Sequence, residues 1–420
     1  MDIVRNGCLL IFFRPNAIIL ERILMNESTN REVSSSTQIG QGVEEMSALR
    51  SIASKSAHPA WIEIDLKSFQ HNLALIRHRI GSKRLCCVVK ANAYGHGLVP
   101  IAKAACQGGA DYFGVAHLQE GIALRKAKID LPILVLGAIH EDQIEDLICY
   151  QLEFTISSPY KAKLVAEKAA HLKAKCPVHL EIDTGMRRTG VRVESALPLI
   201  DYLQSTACFE LKGIYSHFVM SETANDPVTL QQLEQFLALK KRVGASAGSL
   251  IWHMANSGGV LFYPESHLDM VRPGLLCYGL SPQGAMPDLQ PALSLKAKIS
   301  YFKVVAPQQG ISYNHTYRTS VQTRVVTIPV GYGDGYRRDF SNRMNVLIRG
   351  KRYSISGSVC MDQFMVDIGD HEAYVGDEVV LLGRQKDQEI SLSEMARVAQ
   401  TDPREILCHF NERIPRIYRY

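Results

Sequence analysis

The chain has 420 residues, with 46% hydrophobic and 21% charged content and a formal net charge of +5. That is an ordinary globular composition, long enough for a large core split between two domains. Basic residues cluster locally at Arg337, Arg338, Arg343, Arg349, Lys351 and Arg352 without interleaved stacking aromatics or a zinc pattern, so a solvated face is expected there and no nucleic-acid partner.

The first residues carry a short apolar run, Cys8 to Phe13, which Arg14 and Pro15 interrupt before Ala17 to Leu20. It is too short to span a membrane and lacks a nearby cleavage site of small residues, so neither an anchor nor a signal peptide is expected. Residues 26–58 are rich in Ser, Thr and Glu. Residues 1–58 therefore read as a disordered leader, with Met25 and Met46 as alternative starts. Ten cysteines fall mostly inside apolar segments and form no C-x-x-C pair. Reduced core thiols and a cytoplasmic location follow.

From about residue 85 to 280, eight short apolar runs alternate with amphipathic stretches: Leu85–Val89, Tyr112–Ala116, Pro132–Leu136, Glu153–Ile156, Val178–Ile182, Leu211–Ser216, Ile251–Ala255 and Leu268–Val271. Helices are expected between them, as at Leu98–Gln107, Pro159–Leu172 and Thr229–Val243. Eight strand–helix units in about 200 residues predict a (β/α)8 barrel over residues 59–290, with chemistry at the carboxyl ends of the strands. Residues 291–420 change texture to alternating runs at Leu295–Val305, Arg324–Pro329, Met344–Ile348, Tyr353–Ser356 and Glu378–Leu382, which predicts a mostly β domain. Trp61–Ile64, ahead of the barrel, alternates in the same way and is expected to pair with that domain.

Lys90 stands at the mouth of the first barrel strand, followed by Tyr94, Gly95 and Gly97. Burial there lowers an amine's pKa and makes it a Schiff-base nucleophile; a lysine that simply reaches from a strand end into water is the competing reading. Asp183–Arg188, His217, Asn256–Ser257 and Arg272–Gly274 follow later strands. The loops after strands seven and eight, at Ser257–Gly259 and Arg272–Gly274, are the usual phosphate cradle of such a barrel. Taken singly, Ser257 reads as a helix cap and His217 as a satisfied core histidine.

These segments together resemble one family. Val88–Gly97, Asp183–Met186, Ala255–Gly259, Val271–Gly274, Ser312–Tyr313, Gly331–Gly335 and Cys360–Gln363 are similar to the motifs of fold-type III alanine racemases, in order and over nearly the whole chain beyond the leader. The resemblance implies pyridoxal 5'-phosphate as cofactor, a small amino acid as substrate, no metal, and a homodimer with shared active sites supplying D-alanine for peptidoglycan. It implies that Lys90 carries the cofactor and serves one face of Cα, while Tyr313 from the partner serves the other. Arg272 is then expected to face the pyridine nitrogen with His217 beside it, and Tyr94, Ser257, Gly274 and Leu275 to hold the phosphate. Arg188 and Met361 approach the substrate; Tyr332 narrows the entrance, with Asp362 in support.

Three positions depart from that pattern. Glu181 replaces a lysine that the family usually carbamylates, and is expected to pair with Arg188 in its place. Ser358 replaces an entrance arginine. Arg404 replaces a tyrosine near the phosphate, where it would pair with the phosphate, read a larger or acidic substrate, or face solvent. Three alternatives stand beside alanine racemisation: an amino-acid racemase of broader specificity, a fold-type III decarboxylase, and a non-enzymatic cofactor-binding protein on the same barrel. Tyr313 and Arg272 weigh against the decarboxylase, and the second domain against the binding protein.

Overall fold

The computed structural model describes residues 58–244 and 248–420. The expected leader therefore lies outside the described residues, save for His58. The described chain opens on β1 (Ala60–Asp65) and a helix, Leu66–Ile80, whose first turn is capped by Asp65 Oδ1 accepting from Ser68 N at 2.9 Å. Leu66, Phe69, Leu73, Ile76 and Ile80 recur at three- and four-residue spacing and are buried on one face. Each such side chain contributes about 1.5–3 kcal/mol on burial.

Strands β2 (Arg84–Val88), β3 (Tyr112–Val115), β4 (Ile133–Val135), β5 (Glu153–Ile156) and β6 (Cys176–Asp183) follow, with a two-residue β7 (Val191–Arg192) beside the last. Strands β8 (Phe209–Tyr215), β9 (Ile251–His253) and β10 (Met270–Val271) complete the set. All but β1 and β7 pair in parallel around a ring, β2–β3–β4–β5–β6–β8–β9–β10, and β10 returns to β2. The result is a closed eight-stranded barrel with helices between its strands, as the alternation of the sequence predicts. Helix Pro159–Leu172 shows how cleanly a unit begins: Ser158 Oγ accepts from Lys161 N, and Pro159 occupies the first helical position.

Beyond the barrel come β11 (Leu293–Lys298), β12 (Tyr301–Val305), β13 (Gly310–Ile311), β14 (Tyr317–Arg318) and β15 (Thr323–Ile328). They are followed by β16 (Asn345–Ile348), β17 (Lys351–Ser354), β18 (Phe364–Asp367), β19 (Glu378–Gln385), β20 (Gln388–Ile390) and β21 (Arg416–Arg419). The run Leu295–Val305 reads as one strand in the sequence but is two, in different sheets: β11 pairs with β19, β12 with β15. The chain turns at Ile299 and Ser300, where neither glycine nor proline marks the break. β1 runs antiparallel to β11 and parallel to β21, so the first strand of the described chain lies in the C-terminal sheet. Two short helices, Leu392–Ala399 and Pro403–His409, return the chain to the barrel mouth.

Among the described residues no helix is long and apolar enough to cross a membrane, and no cluster of side chains is arranged to hold a metal ion.

Candidate active site

β2 ends at Val88, and Lys90–Tyr94 forms a single left-handed turn, with φ of 54°, 53°, 53° and 51° at Ala91, Asn92, Ala93 and Tyr94. Side chains with a Cβ pay about 1–2 kcal/mol each to stand there. The surroundings hold them: Glu120 Oε1 accepts from Ala91 N at 2.6 Å, Ala93 N reaches Val89 O at 2.8 Å, and Asn92 Oδ1 accepts from Leu98 N at 2.8 Å. Gly95 follows at φ 80°, where a Cβ would fall 2.3 Å from Leu407 O. The turn is thereby pressed against helix Pro403–His409. Strain concentrated beside a candidate nucleophile marks a position set by the fold rather than by local preference.

Lys90 lines a cavity of about 650 Å³ at the barrel mouth, together with Tyr94, Arg188, His217, Ser257, Arg272, Gly274 and Leu275. Glu181 and Arg404 line it too. Burial, then the charge of Arg188, lowers the Lys90 pKa, while Glu120 opposes the shift. A larger fraction of free amine is therefore present at a given pH. Burial likewise holds His217 well below the usual imidazole range, reinforced by Arg272, Arg188 and Lys90, so its ring is neutral. Ser257 Oγ accepts from Gly274 N at 3.1 Å, and a Cβ on Gly274 would lie 2.3 Å from the Tyr94 hydroxyl. Only glycine lets that hydroxyl reach the strand-end backbone.

Arg272 is buried, and its Nη2 donates to Ser216 O at 2.7 Å, with His217 Nδ1 at 3.4 Å. The closer imidazole is one that sequence reasoning missed: His253 Nδ1 accepts from Arg272 Nη1 at 2.7 Å. Tyr215 was missed as well. Its ring stacks on His253 at 5.0 Å, and the Arg272 guanidinium lies over it at 5.0 Å. Both residues sit inside apolar barrel strands, where a histidine or tyrosine gives no signal to separate it from the core.

Glu181 is buried on β6, and one of its carboxylate oxygens lacks a hydrogen-bond partner. Burial raises its pKa, against a hydrogen bond from Thr189 and the charges of Arg188 and Arg272. The expected pairing with Arg188 is not formed: the two interact through space, with no ion pair between them. Arg404 is exposed, the solvent-facing one of its expected alternatives, and it is already paired. Asp402 clasps it, Nε to Oδ1 at 2.7 Å and Nη2 to Oδ2 at 2.5 Å, and Glu222 stands 3.3 Å from Nη2. With two carboxylates on it, the guanidinium is more than neutralised and forms a wall. Behind that wall lies a second cavity of about 360 Å³, lined by Tyr278, Leu280 and Ser391.

The remaining expected residues lie elsewhere on the chain. Tyr313, Met361 and Asp362 line a separate hollow on the C-terminal sheets, and Tyr313 is 68% exposed. Met361 and Tyr332 are exposed too, and Asp362 accepts from Arg413 Nη2 at 2.7 Å. Ser358 is buried and braces this segment: its Oγ donates to Tyr313 O at 3.3 Å, and its carbonyl accepts from Ser312 Oγ at 2.7 Å. In place of an entrance charge, Ser358 supplies support for the Tyr313 turn.

Fold and site together define a barrel enzyme with a nucleophilic amine in a strongly cationic cavity. Comparison with known proteins narrows this. Residues 64–282 match the family model "Alanine racemase, N-terminal domain", and residues 292–418 match "Alanine racemase, C-terminal domain". Alanine racemases of Desulfovibrio desulfuricans and Carboxydothermus hydrogenoformans are 40% and 41% identical over 366 residues, which is 86% of this chain and 98% and 99% of theirs. The crystal structure of alanine racemase from D-cycloserine-producing Streptomyces lavendulae superposes with a TM-score of 0.83 at 32% identity, covering 87% of this chain and 98% of that one. The Bacillus anthracis enzyme, solved with bound L-Ala-P, gives 0.81 at 34% identity, covering 87% and 96%. The class is therefore an amino-acid isomerase. The chain belongs to the alanine racemase family, a pyridoxal-phosphate-dependent family, and its activity is the interconversion of L- and D-alanine.

Proposed function

We propose that this chain racemises alanine with pyridoxal 5'-phosphate held at Lys90, in a homodimer whose active sites each take Tyr313 from the other copy. The observation that carries this reading is the separation of the two groups: Lys90 lines the barrel cavity, whereas Tyr313 stands exposed in another hollow. Inverting a carbon centre takes a proton from one face and returns one to the other, so a single amine is insufficient. A second copy, docked by its C-terminal sheets on the barrel mouth, completes the pair. The division into a barrel over 59–290 and a β domain over 291–420 gives each copy one surface of each kind.

The cavity suits the cofactor in size and in charge, since Lys90, Arg188 and Arg272 offer cationic donors to a phosphate and a carboxylate. When bound, pyridoxal phosphate supplies an electron-withdrawing ring that acidifies the Cα hydrogen of the attached amino acid. Lys90 would hold it covalently and would move a proton on one face of Cα. Tyr94 and Ser257 hold the phosphate with the backbone at Gly274 and Leu275. Arg188 orients the carboxylate, while Met361 and Tyr332 of the second copy close the entrance, Asp362 tying that loop down through Arg413. Arg272, which has only N–H donors, would face the ring nitrogen without protonating it, and would so confine proton exchange to Cα. Glu181 adds a negative charge that offsets the repulsion between Arg188 and Arg272, and Arg404 forms part of the pocket wall. The nine described cysteines are free thiols, which supports a cytoplasmic location.

Borohydride reduction of the loaded protein, followed by peptide mass analysis, is expected to mark Lys90. Incubation with L-alanine in D2O is expected to give racemic alanine carrying Cα deuterium. Release of CO2 without racemisation, or a mark on another lysine, would overturn the reading.

A further inference from the structure

Arg272 carries a buried guanidinium with no carboxylate in ion-pair contact, a placement that costs several kcal/mol unless the charge is compensated. Compensation lies along the barrel axis. His253 Nδ1 stands 2.7 Å from Arg272 Nη1, His253 Nε2 stands 2.9 Å from His179 Nδ1, and His179 Nε2 stands 2.8 Å from Glu153 Oε2. Tyr112 donates to the other oxygen of Glu153 at 3.2 Å. Both histidines are 0% exposed.

The donors in this row can be ordered in only one way. A guanidinium has N–H groups and no acceptor, so His253 Nδ1 must accept and its proton must sit on Nε2. That proton points at His179 Nδ1, which must accept in turn, so the His179 proton also sits on Nε2. There it meets Glu153, a carboxylate accepting on both oxygens. Every hydrogen bond thus runs from Arg272 toward Glu153, with a cation at one end and an anion at the other.

The barrel wall is shaped around the row. A Cβ on Gly213 would lie 2.6 Å from His179 Nδ1, so only glycine leaves the ring its place, and Tyr215 stacks over His253 at 5.0 Å and 15°. Glu153 begins β5, His179 lies within β6, His253 ends β9 and Arg272 follows β10, so the row crosses the barrel interior to the mouth.

We propose that Glu153, acting through His179 and His253, is a positioning residue for Arg272: one directed chain of hydrogen bonds gives the buried guanidinium a distant counter-charge and holds its plane toward the cavity. Functionally this rests on the assignment of Arg272 to the cofactor's ring nitrogen. The hydrogen-bond order itself does not.

The experiment uses holoenzyme labelled with 15N-histidine, and long-range 15N–1H correlation to read the two ring tautomers in wild type, Glu153→Gln and Glu153→Leu. Wild type is expected to show a proton on Nε2 alone in both rings. Glu153→Gln keeps an acceptor of the same length but removes the charge, and is expected to preserve both tautomers while lowering kcat by about threefold, less than the Leu variant does. Glu153→Leu is expected to release His179 into a mixture of tautomers and to lower kcat about tenfold with an unchanged KM for alanine, the scale typical of lost outer partners. A proton on Nδ1 of either ring in wild type overturns the proposal, and that spectrum decides even where the Leu variant does not fold. Equal loss in the Gln and Leu variants, or no loss in Leu, overturns it too. Were alanine not turned over at all, the tautomers would still report on the chain, so its failure and that of the racemase reading remain distinct.

Discussion

The barrel mouth and the Tyr313 hollow carry chemistry under opposite conditions. At the mouth, Lys90 is pinned by a strained turn, Arg272 is buried and bonded on both terminal nitrogens, and the backbone of Gly274 meets Ser257. At the hollow, Tyr313 and Met361 are 68% and 53% exposed, and what is ordered is the backbone beneath them: Ser312 and Asn314 take positive φ, while Ser358 bonds both sides of the turn. One region is organised to hold a ligand within a single chain. The other presents side chains outward, as the proposed second copy requires.

Removing the central group from each region gives the largest expected effects. On the proposed roles, Lys90→Ala removes both the anchor and one base, and racemisation should fall by about 10⁴-fold or more, read by D-alanine formation from L-alanine. Tyr313→Phe removes a single proton-transfer group, and about 10²- to 10⁴-fold is expected. Here one enantiomer should continue to exchange its Cα hydrogen with retention, a signature absent from Lys90→Ala. Equal exchange from both enantiomers in Tyr313→Phe would place the second base elsewhere.

A milder change within the mouth tests its electrostatics. Glu181→Gln removes the anion facing Arg188 and Arg272, and should lower kcat/KM about tenfold, mostly through KM for alanine. Wild-type kinetics would reduce Glu181 to a strand-end residue.

A separate effect is on stability, and it belongs to the barrel. His96, His217 and His253 are all held below the ordinary imidazole pKa, chiefly by burial, His96 at about 4 against 6.5. Between those values the unfolded chain binds a proton that the folded chain refuses, so stability falls as pH drops from about 6.5 to 4. For His96 alone the loss approaches about 3 kcal/mol. Urea midpoints over that window should fall steadily and fall less steeply in His96→Asn; a flat wild-type profile would contradict the assignment.

The same contrast explains what could be read from sequence. The mouth residues were legible because each stands where an apolar run ends: Lys90 after Val88, His217 after Tyr215, Arg272 after Val271. The row behind Arg272 was not, because Glu153, His179 and His253 lie within runs that read as core. Left-handed φ at Ala91, Ala93 and Tyr94 was equally hidden, since those residue types carry no preference for it. Of the clasp on Arg404, Asp402 is two residues away and stands in the sequence beside it, whereas Glu222 comes from a distant loop. Glu222's share in the pairing therefore had no local sign.

The central claim is that two copies share each site, and mixing two dead variants tests it most directly. Lys90→Ala still carries Tyr313, and Tyr313→Phe still carries Lys90. Equal amounts, unfolded and refolded together, form mixed dimers as about half of the population, each with one intact site of two. Recovery to about a quarter of the wild-type rate is expected. Activity no higher than that of the two variants kept apart would show that Lys90 and Tyr313 serve within one chain, and would contradict the account.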